Sequence, residues 1–196
     1  MEYQSSPELI QAISDAKNGD ERAVALLFRA FNPPLLRYLR ARSGIDAEDI
    51  SSGVWLSVAK NIATFRGDDR DFRSWIFATA RRRTIDLHRR LQARPRIEGV
   101  DDFYSFADRR EVPALPDQLE IDEAIAQITQ GLSGEQVEVL LLRIIAGLSA
   151  EEVARITAKS ATWVRVTQHR AIKYISKRFS DNDVTPEQRA AFSKEL

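Results

Sequence analysis

The sequence predicts an all-α fold: two helical domains joined by a flexible acidic linker. Three observations carry this. Apolar residues recur at helical spacing along most of the chain, and no stretch alternates at period two. The helical pattern lapses between Gln92 and Pro116, where Pro95, Gly99, Pro113 and a run of acids intervene. Charge is also segregated into blocks that follow the same division.

In the first domain, residues 7–92, Ser6-Pro7-Glu8 places a cap and a first-turn proline ahead of a helix that stops at Asn18-Gly19. Asp20 caps a second helix with Ala23, Leu26, Leu27, Ala30 and Phe31 on one face. Pro33 and Pro34 are expected to break it, with Leu35, Leu36, Tyr38 and Leu39 continuing as a third segment that ends at Gly44. Asp46 caps the next helix, which runs to about Ala63 with Ile50, Val54, Val58 and Ile62 inward. A short charged loop, Arg66 to Asp71, precedes a long helix from about Phe72 to Leu91, with Trp75, Ile76, Thr79, Ala80 and Ile85 toward the core.

Residues 93–117 read as the flexible linker, in which Phe103, Tyr104 and Phe106 serve either docking or local turn packing. The second domain, residues 118–179, opens with a helix from about Leu119 to Gly131. Ser133-Gly134-Glu135-Gln136 is a capping box before the stripe Val137, Leu140, Leu141 and Ile144, which ends at Gly147. Ser149-Ala150-Glu151-Glu152 is a second capping box, opening a short helix through Ile156. Ser160 caps the last helix, with Val164, Ala171, Ile172 and Ile175 as its stripe, and residues 180–196 form a polar tail.

Composition narrows the function. The chain has no cysteine, which removes disulfides and thiolate metal sites and makes a reducing cytoplasm the expected compartment. No apolar run approaches the roughly 20 residues a membrane span needs, and the first residues lack signal-peptide character. Net charge is zero, but Phe72 to Ile97 holds eight arginines against Asp86 alone, a net +7. Lys159 to Phe179 carries six cations and no acid, and Glu98 to Glu123 between them is net −7. Two basic patches flanking an acidic connector suggest two contacts with a polyanion.

The second patch lies on a helix-turn-helix: a helix of about seven residues, a turn of about three, then a longer basic helix. Lys159, Ser160, Thr162, Trp163, Arg165, Val166 and His169 can face outward while Val164 and Ala171 face inward. Trp163 either touches DNA or covers the core, and core is favoured. Arg165 is placed to bond guanine bidentately, and Arg170 and Lys173 extend the basic surface, with Lys173, Lys177 and Arg178 suited to phosphates.

The runs DAEDISSGVWLSVAKNIATFRGDDRDFRSWIFATARRRTIDLHRR and LSGEQVEVLLLRIIAGLSAEEVARITAKSATWVRVTQHRAIKYI, in this order and spacing, resemble regions 2 and 4 of the extracytoplasmic-function (ECF) sigma factors. These are promoter-specificity subunits of bacterial RNA polymerase in the sigma-70 family. The resemblance covers nearly the whole chain except the linker and tail. It implies that the first domain binds the core polymerase clamp through Asp49, Ser52, Gly53 and Leu56 and opens the −10 element. The loop from Phe65 to Phe72 would capture a flipped base, and Arg66, Arg73, Arg81, Arg82, Arg83, Asp86, Arg89 and Arg90 would hold or read −10 DNA. The helix-turn-helix would read the −35 element as duplex, and the linker would thread toward the active site and RNA exit channel. Core RNA polymerase, promoter DNA and an anti-sigma factor are the implied partners, with no cofactor, metal, small-molecule substrate or membrane insertion. Five positions depart from the family pattern. Ser52-Gly53 stands where Gln-Glu is usual, Arg82 where Asn is usual, Ala158 where the turn glycine is usual, and Gln168 at a usually apolar position.

The residues show no constellation expected of an enzyme: His88 and His169 fall in different domains, and there is no P-loop, metal-ligand cluster or nucleophile motif. An operator-binding regulator would also use the helix-turn-helix but needs no polymerase. A helical adaptor that binds only protein would leave both basic patches unexplained.

Overall fold

The computed structural model describes residues 3–92 and 116–183, and these contain helices and no strands. The first domain comprises α1 (Pro7–Lys17), α2 (Glu21–Ser43), α3 (Ala47–Asn61) and α4 (Asp69–Gln92), with single 3₁₀ turns at Gly44–Asp46 and Ile62–Thr64. The second comprises α5 (Pro116–Thr129), α6 (Gly134–Leu140), α7 (Ala150–Thr157) and α8 (Ala161–Asp183). The linker and its aromatics, Phe103, Tyr104 and Phe106, lie outside the described residues, as do residues 184–196 of the polar tail. No helix among the described residues is long and apolar enough to cross a membrane.

Local chemistry sets most boundaries. The Asp20 side chain accepts from the backbone N–H groups of Arg22 and Ala23, and both serine capping boxes are formed reciprocally. Ser6 and Asp46 make no side-chain cap bond. The Ser6 backbone N–H instead donates to Asp69 at 2.8 Å.

Three expectations are corrected. Pro33 and Pro34 do not break α2, which continues to Ser43. A proline at each position removes a bond to Arg29 or Ala30, and those residues are exposed, so water can reach the freed carbonyls. On the opposite side Leu27, Phe31, Leu35, Tyr38 and Leu39 are completely buried. That packing holds the helix through the defect.

The fourth helix starts at Asp69, inside the expected charged loop, and Asp69 is buried rather than solvated. Phe72 and Phe77 join its core face, and Phe65 packs beside Phe72 and stacks on Trp75.

In the second domain Ile144 and Ile172 are exposed, not inward. After α6 the helix widens to a π-helical turn over Leu141–Ile145, and Val139 and Leu142 are buried there alongside Val137, Leu140 and Leu141. Along α8 the inward positions are Val164, Thr167 and Ala171, and the helix passes residue 179 to reach Asp183.

The two domains pack together. Their buried side chains form one connected cluster, and α2 lies against both α5 and the π-helical turn.

Candidate nucleic-acid interface

The helix-turn-helix is built from α7, a tight turn and α8. The α7 helix buries Val153 and Ala154, and Ile156 packs partly buried against the same core. Ala158 then adopts the left-handed conformation with φ +56°, the geometry for which glycine is the usual residue. The turn is kept despite its alanine. Ser160 Oγ accepts from the Trp163 N–H at 3.1 Å and starts α8.

From that start the faces separate. Val164, Thr167 and Ala171 are buried, whereas Lys159, Ser160, Thr162, Arg165, Val166, His169, Arg170 and Lys173 are exposed. Trp163 is half-buried against the core with the Lys159 ammonium 4.9 Å from its ring centroid. Gln168 accepts from Arg143 Nε at 3.0 Å, which accounts for a polar side chain at an inward-leaning position. Arg165 pairs with Glu151 on the neighbouring helix, and Lys159 lies 3.3 Å from Glu135. Both pairs are exposed, so they contribute little stability and cost little to exchange for phosphate or base.

The arginines of α4 divide into two sets. Arg82, Arg89 and Arg90 are exposed, as are Asp86, His88 and Arg66 ahead of the helix. Arg83 is exposed but lies across α3, donating to Ser57 Oγ at 2.8 Å. A Cβ at Gly53 would stand 2.7 Å from an Arg83 terminal nitrogen, so Gly53 permits this crossing.

Arg73 is buried, and Arg81 is half-buried with its guanidinium turned to the second domain. Arg73 is 8% exposed and donates to the carbonyls of Ala146 and, at 3.3 Å, Ile145. These carbonyls close the π-helical turn, where a cation meets the negative helix end. Its guanidinium also lies over the rings of Tyr3, Phe31 and Phe77 at 4.6, 5.8 and 5.7 Å. Burial lowers its affinity for a proton, while Tyr3, Glu152 and Asp69 act in the opposite sense. Arg81 Nε donates to Glu138 at 2.8 Å, and its Nη1 reaches the Ile156 carbonyl at 3.3 Å. Glu138 also accepts from Tyr38 at 3.4 Å, and burial followed by this carboxylate pushes the phenol well above its ordinary range. Sequence periodicity missed this second role because Arg73 and Arg81 satisfy groups on a domain more than fifty residues downstream.

On the far side of α3, Asp49 and Ser52 are exposed and Leu56 is 61% exposed. Ser52, Trp55 and Leu56 of α3 border an open groove of about 520 Å³, with Phe28, Asn32 and Leu36 of α2 on its other edge. Asn32 Oδ1 accepts from Ser51 and Trp55 at 2.8 and 3.0 Å, fixing the groove floor. Gly53 turns away from it toward Arg83. Among the described residues no group of His, Asp or Glu is arranged to hold a metal ion.

Residues 27–94 match the Sigma-70 region 2 family. The chain is 32% identical over 167 residues to the ECF RNA polymerase sigma factor ShbA of Streptomyces griseus, covering 80% of this chain and 87% of that one. It is 30% identical over 164 residues to the ECF RNA polymerase sigma factor SigX of Bacillus subtilis, covering 80% and 84%. With the ECF RNA polymerase sigma factor SigD of Mycobacterium tuberculosis it shares 29% identity over 174 residues, or 82% and 79%. The solved structure of CnrH in complex with the cytosolic domain of CnrY has a similar fold, with a TM-score of 0.61 at 20% identity over 90% of this chain and 99% of that chain. With the sequence pattern, the helical architecture and these relatives in agreement, the chain belongs to the ECF sigma factors, the promoter-specificity subunits of RNA polymerase.

Proposed function

We propose that this chain directs core RNA polymerase to promoters through two DNA contacts and one protein contact. The helix-turn-helix reads −35 duplex, the arginine-rich α4 holds the opened −10 strand, and the α3 edge of the groove meets the polymerase clamp. The domains assigned to these tasks are residues 7–92 and 118–179, with 93–117 as the connector. An anti-sigma factor is the inhibitory partner that family membership brings to the proposal.

One observation carries the reading: the N-terminal half of α8 is anchored by Val164, Thr167 and Ala171, leaving a largely polar and basic face exposed. A helix with that division can enter a major groove without losing its core. Arg165 and His169 are the base-reading candidates, and Arg170 and Lys173 are suited to phosphate.

For the −10 contact, Arg82, Arg89 and Arg90 supply cations along one exposed helix, and Arg66 lies at the loop expected to hold an extruded base. Arg73 and Arg81 belong to this contact once the second domain has moved off them. At the clamp, Asp49, Ser52 and Leu56 follow each other at helical spacing on an open face, and Gly53 serves Arg83 instead.

Adding the protein to core polymerase should give promoter-specific initiation and permanganate-reactive thymines near −10. Arg82→Ala combined with Arg89→Ala and Arg90→Ala should remove the reactivity while sparing a −35 footprint. Tight duplex binding without core, with initiation unchanged by the protein, would reject the proposal in favour of an operator-binding regulator.

A further inference from the structure

We propose that residues 3–6 form a strap that holds the two domains in a closed state, in which Arg73 and Arg81 are withheld from DNA. The masking part rests on the reading of α4 as a promoter-DNA contact.

The strap touches both domains at once. Toward the first domain, Tyr3 Oη donates to Asp69 Oδ2 at 2.7 Å, Ser5 Oγ donates to Asp69 Oδ1, and the Ser6 N–H donates to Asp69 Oδ2 at 2.8 Å. Asp69 is completely buried, so these donors replace the water that an ionised carboxylate otherwise requires. Toward the second domain, the Tyr3 N–H donates to the Gly147 carbonyl at 3.1 Å. Arg70 closes the remaining side by donating to the Tyr3 carbonyl at 3.0 Å.

Gly147 is suited to this contact on two counts. Its φ is +63°, and a Cβ there would lie 3.3 Å from both the backbone nitrogen and the Cβ of Tyr3. The close approach of strap and second domain is therefore made backbone to backbone, with no side chain between.

The same closure takes the two arginines out of use. Arg73 is sandwiched between the Tyr3 ring and the carbonyls of Ile145 and Ala146, and Arg81 is shared between Glu138 and the Ile156 carbonyl. A guanidinium N–H directed at a carbonyl or carboxylate is not available to a phosphate. DNA and the second domain thus compete for the same donors. Beside the apolar cluster that the domains share, the interface carries polar contacts open to competition: Ser74 donates to Glu152 at 2.9 Å, and Arg40 meets Asp122 at 3.3 Å. Water and phosphate can replace each of these partners when the domains part.

The test uses the full chain. It contains no cysteine, so Ser14→Cys and Ser176→Cys, both at exposed positions, give two unique label sites, one per domain. Spin-label distances are measured for the parent chain, for Tyr3→Ala and for Asp69→Asn. Tyr3→Ala lies in the strap but also removes a ring packed on the core edge beside Phe31, so unchanged helicity and urea midpoint are the control that each domain stays folded. The strap predicts a short, narrow distance in the parent and a longer, broader one in both variants. Unchanged distances would overturn it.

Binding of a fluorescein-labelled single-stranded oligonucleotide of mixed sequence is then compared. Release of two arginines should raise affinity about tenfold and steepen the dependence of log K on log salt by about 1.4. The gain should vanish when Arg73→Ala and Arg81→Ala are added to Tyr3→Ala. A longer distance without gain overturns the masking. Permanganate reactivity with core polymerase separates this from the function reading. If Arg81→Ala abolishes opening there while Tyr3→Ala brings no gain in the free chain, the mask alone is wrong. If Arg81→Ala leaves opening intact, the assignment of Arg81 to DNA falls and the mask falls with it.

Discussion

At the scale of single residues, the backbone at Ala158 has the clearest energetic consequence. An L-residue at φ +56° sits in a conformation costing roughly 1–2 kcal/mol. Part of the relief on substitution is returned through the greater freedom of glycine in the unfolded chain. Ala158→Gly should therefore stabilise the protein by about 0.5–1 kcal/mol, read as a higher urea midpoint with an unchanged slope. Gly53 has a different balance. Ala there gains up to about 1 kcal/mol of helix propensity, and the obstructing atom is the far end of exposed Arg83, which can swing aside. Gly53→Ala should raise the melting temperature, and a loss exceeding about 1 kcal/mol would show that the Arg83–Ser57 bond matters more than its exposure suggests. For DNA reading, Arg165→Ala should relax discrimination at one base pair of the −35 element by about 1–3 kcal/mol, measured by competition between matched and mismatched duplexes.

At the scale of helices, caps and turns explain why so much could be read from the sequence. Ser133 and Ser149 each satisfy an N-terminal backbone donor while the residue three positions on bonds back. Ser133→Ala should cost about 1 kcal/mol in urea titration. Ser149→Ala should cost more, because Glu152 is also held between that cap and Ser74 of α4. Such signals are local and survive in any context, so helix starts at Pro7, Glu21, Gly134, Ala150 and Ala161 were legible. The exposed face of α8 was legible for the same reason. Tertiary effects were not. Continuity through Pro33-Pro34 depends on five side chains buried beneath the defect, and the exposure of Ile144 depends on one π-helical turn. The double life of Arg73 and Arg81 depends on Ile145, Ala146, Glu138 and Ile156, none of which a local pattern can connect to α4.

At the scale of the whole molecule, closure carries a pH signature with a defined sign. Burial alone would raise the Asp69 pKa, but the bonds from Ser5, Ser6 and Tyr3 outweigh it and hold the carboxyl below its ordinary value. Arg73 on the same helix acts in the same sense. Glu152 is likewise depressed: its burial is outweighed by bonds from Ser149 and Ser74, with Arg155 adding to them. A depressed closed-state pKa means that the contribution is complete above the solvated carboxylate value of about 4 and is lost as pH falls through the closed-state value. The label distance should hence stay short at neutral pH and lengthen in acid. Asp69→Asn should flatten most of that dependence, and an equally steep response in Asp69→Asn would place the titration elsewhere.

The strap also imposes an order of events during synthesis. Tyr3 leaves the ribosome long before Gly147, its carbonyl partner, so that bond waits until the second domain is translated. Domains generally fold as they emerge, N-terminal first, at about 5–20 residues per second. For several seconds the nascent first domain would hold Asp69 against the strap with Arg73 and Arg81 uncovered, and emergence of the second domain would supply their cover. A ribosome stalled between α4 and α6 would display these two arginines without the second domain over them, whereas the finished chain starts life closed.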